Sequence, residues 1–426
     1  MIEATEATIA TRPSIDAIRN GLSSRRKAQS RLKAYGLAAI IFAITMLGVL
    51  LFSIITASSG AWTQTQVRLQ FAPFESVEAA REANVRTLVN EAIVAKLPAA
   101  DNPAQTRTYQ QILSNGAQYL VRDAIESGDV AVTSPFEIWV PVSDSYEQLY
   151  EGVIDPAAPE NRRPLNDFQV GAFQTLQQSG DVRSVLDWGL ITNADSRFPE
   201  LAGLKGAIFG SFYLLVVCFL ISVPVGLGAA VYLEEFAPKN RFTDFIEINI
   251  NNLAAVPSIV FGLLGLALFL GFFGLPRSAP LVGGMVLALM TLPTIIITSR
   301  SALKAVPPSI RDGARGVGAS EMQVIWHHVL PLALPGIMTG VIIGLAQALG
   351  ETAPLLLIGM NAFLTSEPGG VMDASTALPT QIFIWFDSPE RGFVARTSAA
   401  ICVLLVFLAM MNAAAIFFRR RFERSW

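Results

Sequence analysis

Long apolar runs separated by polar links set the pattern of this chain. A membrane helix needs about 20 consecutive apolar residues. Six stretches meet that length: Tyr35–Ala57, Ala207–Leu233, Leu253–Gly274, Leu281–Thr298, Leu332–Met360 and Thr397–Phe418. The first run, about 22 residues, is longer than a signal-peptide core and has 34 residues before it, so it reads as a retained anchor.

Residues 58–203 follow shorter periods. Helical spacing is present in FESVEAAREANVRTLVNEAIVAKL, TRTYQQILSNGAQYLVRDAIES and LNDFQVGAFQTLQQ. Strand-like alternation is present in DVAVTSPFEIWVPVS, and VRSVLDWGLI reads as a further strand. The expected fold is an all-α polytopic membrane protein with six transmembrane helices and an inserted α+β domain. Its parts are an N-terminal segment 1–34, a first membrane helix 35–57, the insertion 58–203, and a five-helix membrane domain 204–426. The insertion's two ends must lie close together, because both continue into membrane helices.

Composition supports the membrane reading, with 52% hydrophobic and 15% charged residues and a mean hydropathy of +0.47. Soluble chains carry about 25% charged residues. Charge then orients the spans through the excess of Lys and Arg in cytoplasmic links. Residues 1–34 carry seven: Arg12, Arg19, Arg25, Arg26, Lys27, Arg31 and Lys33. Lys239 and Arg241 lie in the link 234–252, and Arg300, Lys304, Arg311 and Arg315 in the link 299–331. The tail adds Arg419, Arg420, Arg421 and Arg424, whereas the opposite short links hold only Arg277, Arg391 and Arg396. Both termini are expected in the cytoplasm, and the insertion, with 19 acidic and 10 basic residues, outside it. That acidity reads as a solvated surface, since no EF-hand pattern accompanies it.

Motifs argue against an enzyme. None of the six lysines follows a glycine, so no Walker A loop is present, and there is no G-x-S-x-G or HExxH. Cys218 and Cys402 lie in apolar runs and read as small buried side chains. His327 and His328 are adjacent, so on a helix they point apart and make a poor metal site. No catalytic or metal residue is expected.

Two stretches stand out. The first is 306–331, VPPSIRDGARGVGASEMQVIWHHVLP, which is far more polar than its flanks. Pro307 and Pro308 can open a helix. Gly316 and Gly318 supply a break. Ser320 with Gln323 makes a capping box for a second helix, and Pro331 marks the return to the membrane. The pattern fits a helix, a glycine turn and a helix on the cytoplasmic surface, which by itself is also what an ordinary connector looks like.

The second stretch is ALGETAPLLLIG. Glu351 is the only charge between Leu332 and Met360. Gly336, Gly340, Gly344 and Ala348 recur every four residues on one face, a seam that lets another helix approach closely. Glu351 continues that face, with Gln347 four residues before it. Counted from Pro335, Glu351 lies about 24 Å along the helix, in the outer half of the membrane. A charge at the centre of a membrane helix costs about 2.5–3.5 kcal/mol. Glu351 therefore either reaches the outer interface or a neighbouring helix, or it stands on a translocation route. Arg300 is either a membrane-edge anchor or a cation for that route.

The segment 306–331 resembles the cytoplasmic signature of inner-membrane permeases of bacterial ABC importers: Glu-Ala-Ala, three residues, Gly, nine residues, Ile-x-Leu-Pro. Asp312-Gly313-Ala314 falls on the triplet, Gly318 on the glycine and Leu330-Pro331 on the closing pair, while His328 replaces the isoleucine. YLEEFAPKNRFTDFIEINI, NNLAAVPSIVFGLLGLALF and ALGETAPLLLIG further resemble A-type permeases of the bacterial phosphate importer, from about Gly206 to Trp426.

The resemblance implies a permease of ABC importer type in the inner membrane. Its coupling residues would be Arg311, Asp312, Gly313, Ala314, Gly318, Leu330 and Pro331, and they would dock on a separate ATPase. It also implies a second homologous permease, two ATPase copies holding ATP and Mg, and an extracytoplasmic phosphate-binding protein, with no cofactor on this chain. Gln347, Glu351 and Arg300 are the expected pathway residues. Relatives often carry arginine where this chain has Gln347. A bare carboxylate repels an anion, so Glu351 would act protonated or paired with a cation. Another oxyanion, such as molybdate or sulfate, a transporter needing no ATPase, and a membrane sensor built on residues 58–203 remain alternatives.

Overall fold

The computed structural model describes residues 15–422. Arg12 and Arg424, counted above for orientation, lie outside the described residues.

The chain opens with α1 (Ile15–Ala57), a helix longer than the expected 35–57. From Arg26 onward it is long and apolar enough to cross a membrane, and its side chains are exposed on every face. An evenly apolar helix of this kind suits lipid contact. It forms a unit of its own, separate from the compact remainder that starts at Ala57.

The inserted region folds around β1 (Thr63–Phe71), a strand the sequence reading did not identify. Helices α2 (Val77–Glu82), α3 (Val85–Ala95), α4 (Pro103–Gln110) and α5 (Ala117–Ser127) follow, then β2 (Phe136–Pro141). Next come α6 (Asp144–Tyr150), α7 (Asp167–Gln178), β3 (Val182–Leu186) and the short α8 (Gly189–Thr192). The sheet order is β2-β1-β3, antiparallel throughout, with Val67 opposite Val140 and Thr63 opposite Leu186. Period-two alternation turns Val67, Leu69 and Phe71 into one core with Val89, Ile93, Val121, Ile125 and Phe173 from the helices. The first two expected helical stretches are each divided, whereas LNDFQVGAFQTLQQ forms the single helix α7. Asn84 caps α3 through the Thr87 N–H, and the Asn115-Gly116 turn separates α4 from α5.

The membrane region is built from α9 (Lys205–Val231), α10 (Arg241–Ala254), α11 (Ser258–Gly265) and α12 (Pro280–Lys304). It continues with α13 (Pro308–Gly316), α14 (Glu321–Gln323), α15 (Leu330–Gly350), α16 (Ala353–Leu357), α17 (Leu378–Phe386) and α18 (Gly392–Phe422). Among the described residues five helices are long and apolar enough to span a membrane. A sixth span exists only if α10 and Ser258–Phe272, bent by 100°, count as one. This corrects the expected single span Leu253–Gly274. Pro257 has no N–H to give and disfavours helical geometry at Val256, so the helix breaks there.

The expected run Leu332–Met360 is also divided. α15 stops at Gly350, Glu351 is extended, and α16 restarts as a short separate turn. Pro354 cannot donate back to Gly350, which is why the helix does not continue.

Close packing rests on glycines. A Cβ on Gly340 would meet Thr298 Oγ1, and one on Gly336 would lie 2.7 Å from the Ala302 Cβ. The seam read from the sequence is therefore the contact between α15 and α12 within this chain. On the other side of α12, a Cβ on Gly284 would lie 2.5 Å from the Val217 Cβ of α9.

Candidate functional site

The segment 306–331 takes the expected form. Pro308 starts α13. Gly318, at φ 87°, makes the left-handed turn that a residue with a Cβ rarely adopts. Ser320 and Gln323 form a reciprocal capping box. From Val324 to Val329 the helix is of π type, immediately before Pro331, and runs without a break into α15. Pro331 offers no N–H to the His327 carbonyl, so the hydrogen-bond register widens here.

Within α13, Ala314 is buried against the bundle, whereas Asp312, Gly313, Gly318, Val317 and Met322 are exposed. Trp326, His327 and His328 are exposed as well. Arg315 clamps Glu321 across the glycine turn with two hydrogen bonds of 2.9 Å. Leu330 and Pro331 are half-buried.

Arg311 differs from its exposed neighbours. Its guanidinium bonds Glu235 Oε1 at 2.8 Å and donates to the carbonyls of Val306 (2.7 Å) and Leu303 (2.9 Å). A cation at the C-terminal end of α12 meets the negative end of the helix dipole, and Arg311 adds a donor to the Leu303 carbonyl, which also accepts from the Val306 N–H at 3.2 Å. Glu235 belongs to the π turn Tyr232–Phe236 that ends α9. Glu234 beside it meets Arg300 Nε at 3.4 Å and Lys304 Nζ at 3.5 Å, and Arg300 Nη2 bonds Glu247 of α10 at 2.5 Å. Apart from the exposed Lys304, this ionic cluster is half-buried to buried, and it ties α13 to the ends of α9 and α12 and to the middle of α10. Glu234, Glu235 and Glu247 were missed in the sequence. The visible signal was a pair of adjacent carboxylates closing an apolar run.

Glu351 stands elsewhere. It is half-buried at the C-terminal end of α15, where the helix dipole disfavours a negative charge. Among the described residues it forms no ion pair. The structure does not bring Arg300 to it. Gly340 packs on Thr298, two residues from Arg300, and Glu351 lies eleven residues further along, roughly 16 Å of helix rise. Gln347 is exposed on the face of α15 that also bears Ile343, not on the buried seam of Gly340, Gly344 and Ala348. A polar side chain on an uncovered face of a membrane helix calls for a further partner.

A second ionic site joins the insertion to the bundle. Arg396, in the first turns of α18, pairs with Asp187 at 2.6 Å and donates to the Ala202 carbonyl at 3.1 Å, and both charged side chains are 4% exposed. Asp144 accepts from the Gly392 N–H at 3.2 Å, and Asp195 accepts from Trp385 Nε1 at 3.1 Å. A cavity of about 510 Å³ beside this junction is lined by Asp144, Glu147, Glu151, Arg391 and Arg396. Burial pushes the Glu147 carboxyl up to about 8, against the opposing pull of the Thr65 N–H that it accepts at 3.0 Å. Burial also raises Glu151 and Glu200 above the usual carboxylate range.

Residues 222–424 match the family described as binding-protein-dependent transport system inner membrane component. A probable ABC transporter permease of Bacillus subtilis, YqgI, is 33% identical over 261 residues, 57% of this chain and 87% of the relative. The chain belongs to that inner membrane component family. The permease thus serves an ABC importer as a multi-pass membrane subunit, not as its catalytic subunit. Residues 19–160 match a domain of unknown function, DUF3333.

The permease is also similar to the phosphate transport system permease protein PstA of Mycobacterium leprae, 33% identical over 221 residues, 51% of this chain and 70% of the relative. PstC of Haemophilus influenzae, a phosphate transport system permease protein, is 31% identical over 225 residues, 47% of this chain and 70% of the relative. The methionine ABC transporter MetNI in an inward-facing conformation aligns at 19% identity with a TM-score of 0.41, over 52% of this chain and 98% of that chain.

Proposed function

We propose that this permease is the A-type membrane subunit of an importer for inorganic phosphate. The observation that carries the reading is the similarity to PstA, 33% identical over 70% of that relative's length. In this reading the exposed surface of α13, the glycine turn and α14 faces the cytoplasm and docks on a separate ATPase, which holds ATP and Mg. Asp312, Gly313 and Gly318 lie at that contact. Arg311 acts behind it and anchors α13 to α9 through Glu235. Closure of two ATPase copies then moves α9 and α12 together with α13, because one ionic cluster ties their ends.

The exposed face of α15 with Ile343 and Gln347 meets a second, homologous permease, and the substrate passes between the two. Glu351 closes this route at its outer end, neutralised by a cation on that second permease. The inserted domain stands on the outer side, where a phosphate-binding protein delivers substrate.

The test is purification of the assembled complex followed by uptake into proteoliposomes with ATP inside. Phosphate uptake that requires the binding protein and is not displaced by excess sulfate or molybdate supports the reading. Displacement by another oxyanion reassigns the substrate, and uptake driven by an ion gradient without an ATPase rejects the class of mechanism.

A further inference from the structure

The inserted domain ends in an apolar foot that nothing in the compact unit covers. At the junction of β3 and α8, Leu186 is 56% exposed, Trp188 66% and Ile191 38%. The only charge from Leu186 to Thr192 is Asp187, and its carboxylate is turned inward onto Arg396. In an otherwise acidic domain this stretch therefore presents an uncharged surface.

Three contacts fix the height of the foot. The Asp187 N–H donates to the carbonyl of Trp62, just past the end of α1, at 2.9 Å. Arg396 holds Asp187 from within α18. Leu190, on the opposite side of α8, is fully buried with Leu204, Ala207, Ala399 and Ala400. The apolar runs of α9 and α18 begin at Ala207 and Thr397, so α8 lies level with the end of the bundle where both helices enter the membrane. Tryptophan concentrates at that level, because its ring is at once apolar and hydrogen-bonding. Apolar side chains left in water there would lose the gain from burial.

We propose that Leu186, Trp188 and Ile191 rest in the headgroup layer of the adjoining leaflet and seat the inserted domain on the lipid surface. The domain is thereby held against the bilayer at one point and against α18 at the neighbouring residue, Asp187. Its position over the bundle is set by lipid as well as by protein. This inference uses only membrane insertion of α9 and α18 and does not depend on the substrate.

The experiment uses the complete complex in nanodiscs, with Cys218 and Cys402 replaced by serine. Single cysteines at Trp188 or Ile191 carry a bimane label. Val406→Cys on the exposed face of α18 serves as the lipid control and Asp101→Cys as the water control. Labels at positions 188 and 191 are expected to be quenched by doxyl phospholipid to the extent seen at 406, and to resist aqueous iodide. Iodide quenching equal to that at position 101 overturns the proposal. Protection from both quenchers also overturns it and makes the foot a protein contact. Ile191→Cys leaves Trp188 in place, so the test stands even if the Trp188 variant does not assemble.

Discussion

At the residue scale, charges in low-dielectric surroundings carry most of the consequences. Glu235→Ala leaves Arg311 mostly buried without its carboxylate, and loss of one partner of a buried pair costs about 3–5 kcal/mol. The expected outcome is a complex that assembles less well and hydrolyses ATP with little transport. Arg311→Lys, which cannot reach Glu235 and two carbonyls at once, should fall between wild type and Glu235→Ala when uptake per ATP is measured. Glu351→Gln should impair uptake while leaving assembly intact, and normal phosphate uptake by that variant would remove Glu351 from the route.

Glu147 gives a pH prediction. Its folded carboxyl, at about 8, lies above the ordinary value of 4.5, so the folded state keeps a proton that the unfolded state releases. Stability of the inserted domain therefore falls as pH rises from about 4.5 to about 8 and levels off above that window. Glu147→Gln can keep the bond from the Thr65 N–H without a charge. Thermal unfolding should show the variant gaining on wild type as pH rises through the window, and parallel curves would contradict the burial argument.

At the element scale, the legible features were those with local causes. Ser320 and Gln323 announced a helix start, Gly318 announced the turn, and the spacing of Gly336, Gly340, Gly344 and Ala348 announced a packing face. The partner of that face was not legible, because a small-residue stripe does not say which helix fills it. It is α12, and Gly340→Val should separate the pair by forcing a side chain into Thr298, seen as reduced thermal stability in detergent. The breaks at Pro257 and Pro354 were signalled by proline, but unbroken hydropathy on both sides hid them. β1 was hidden for a different reason: its first four residues, Thr63 to Gln66, are all polar, so its alternation becomes visible only from Val67 onward.

At the scale of the whole molecule, the chain is a membrane permease with a folded domain bolted to its last helix. The ion pairs that define its working parts, Arg311 with Glu235 and Arg396 with Asp187, join residues far apart in sequence. No spacing rule reaches that far, so these contacts were not legible beforehand. The central claim is that the polar segment 306–331 transmits ATP hydrolysis on another subunit to phosphate movement through this one. The most direct measurement is phosphate uptake by the reconstituted complex alongside ATP hydrolysis, with wild type and a Gly318→Val variant. The variant should hydrolyse ATP without binding-protein stimulation and import no phosphate, because the left-handed turn that shapes the docking surface is lost. Full uptake coupled to hydrolysis in Gly318→Val would contradict the account.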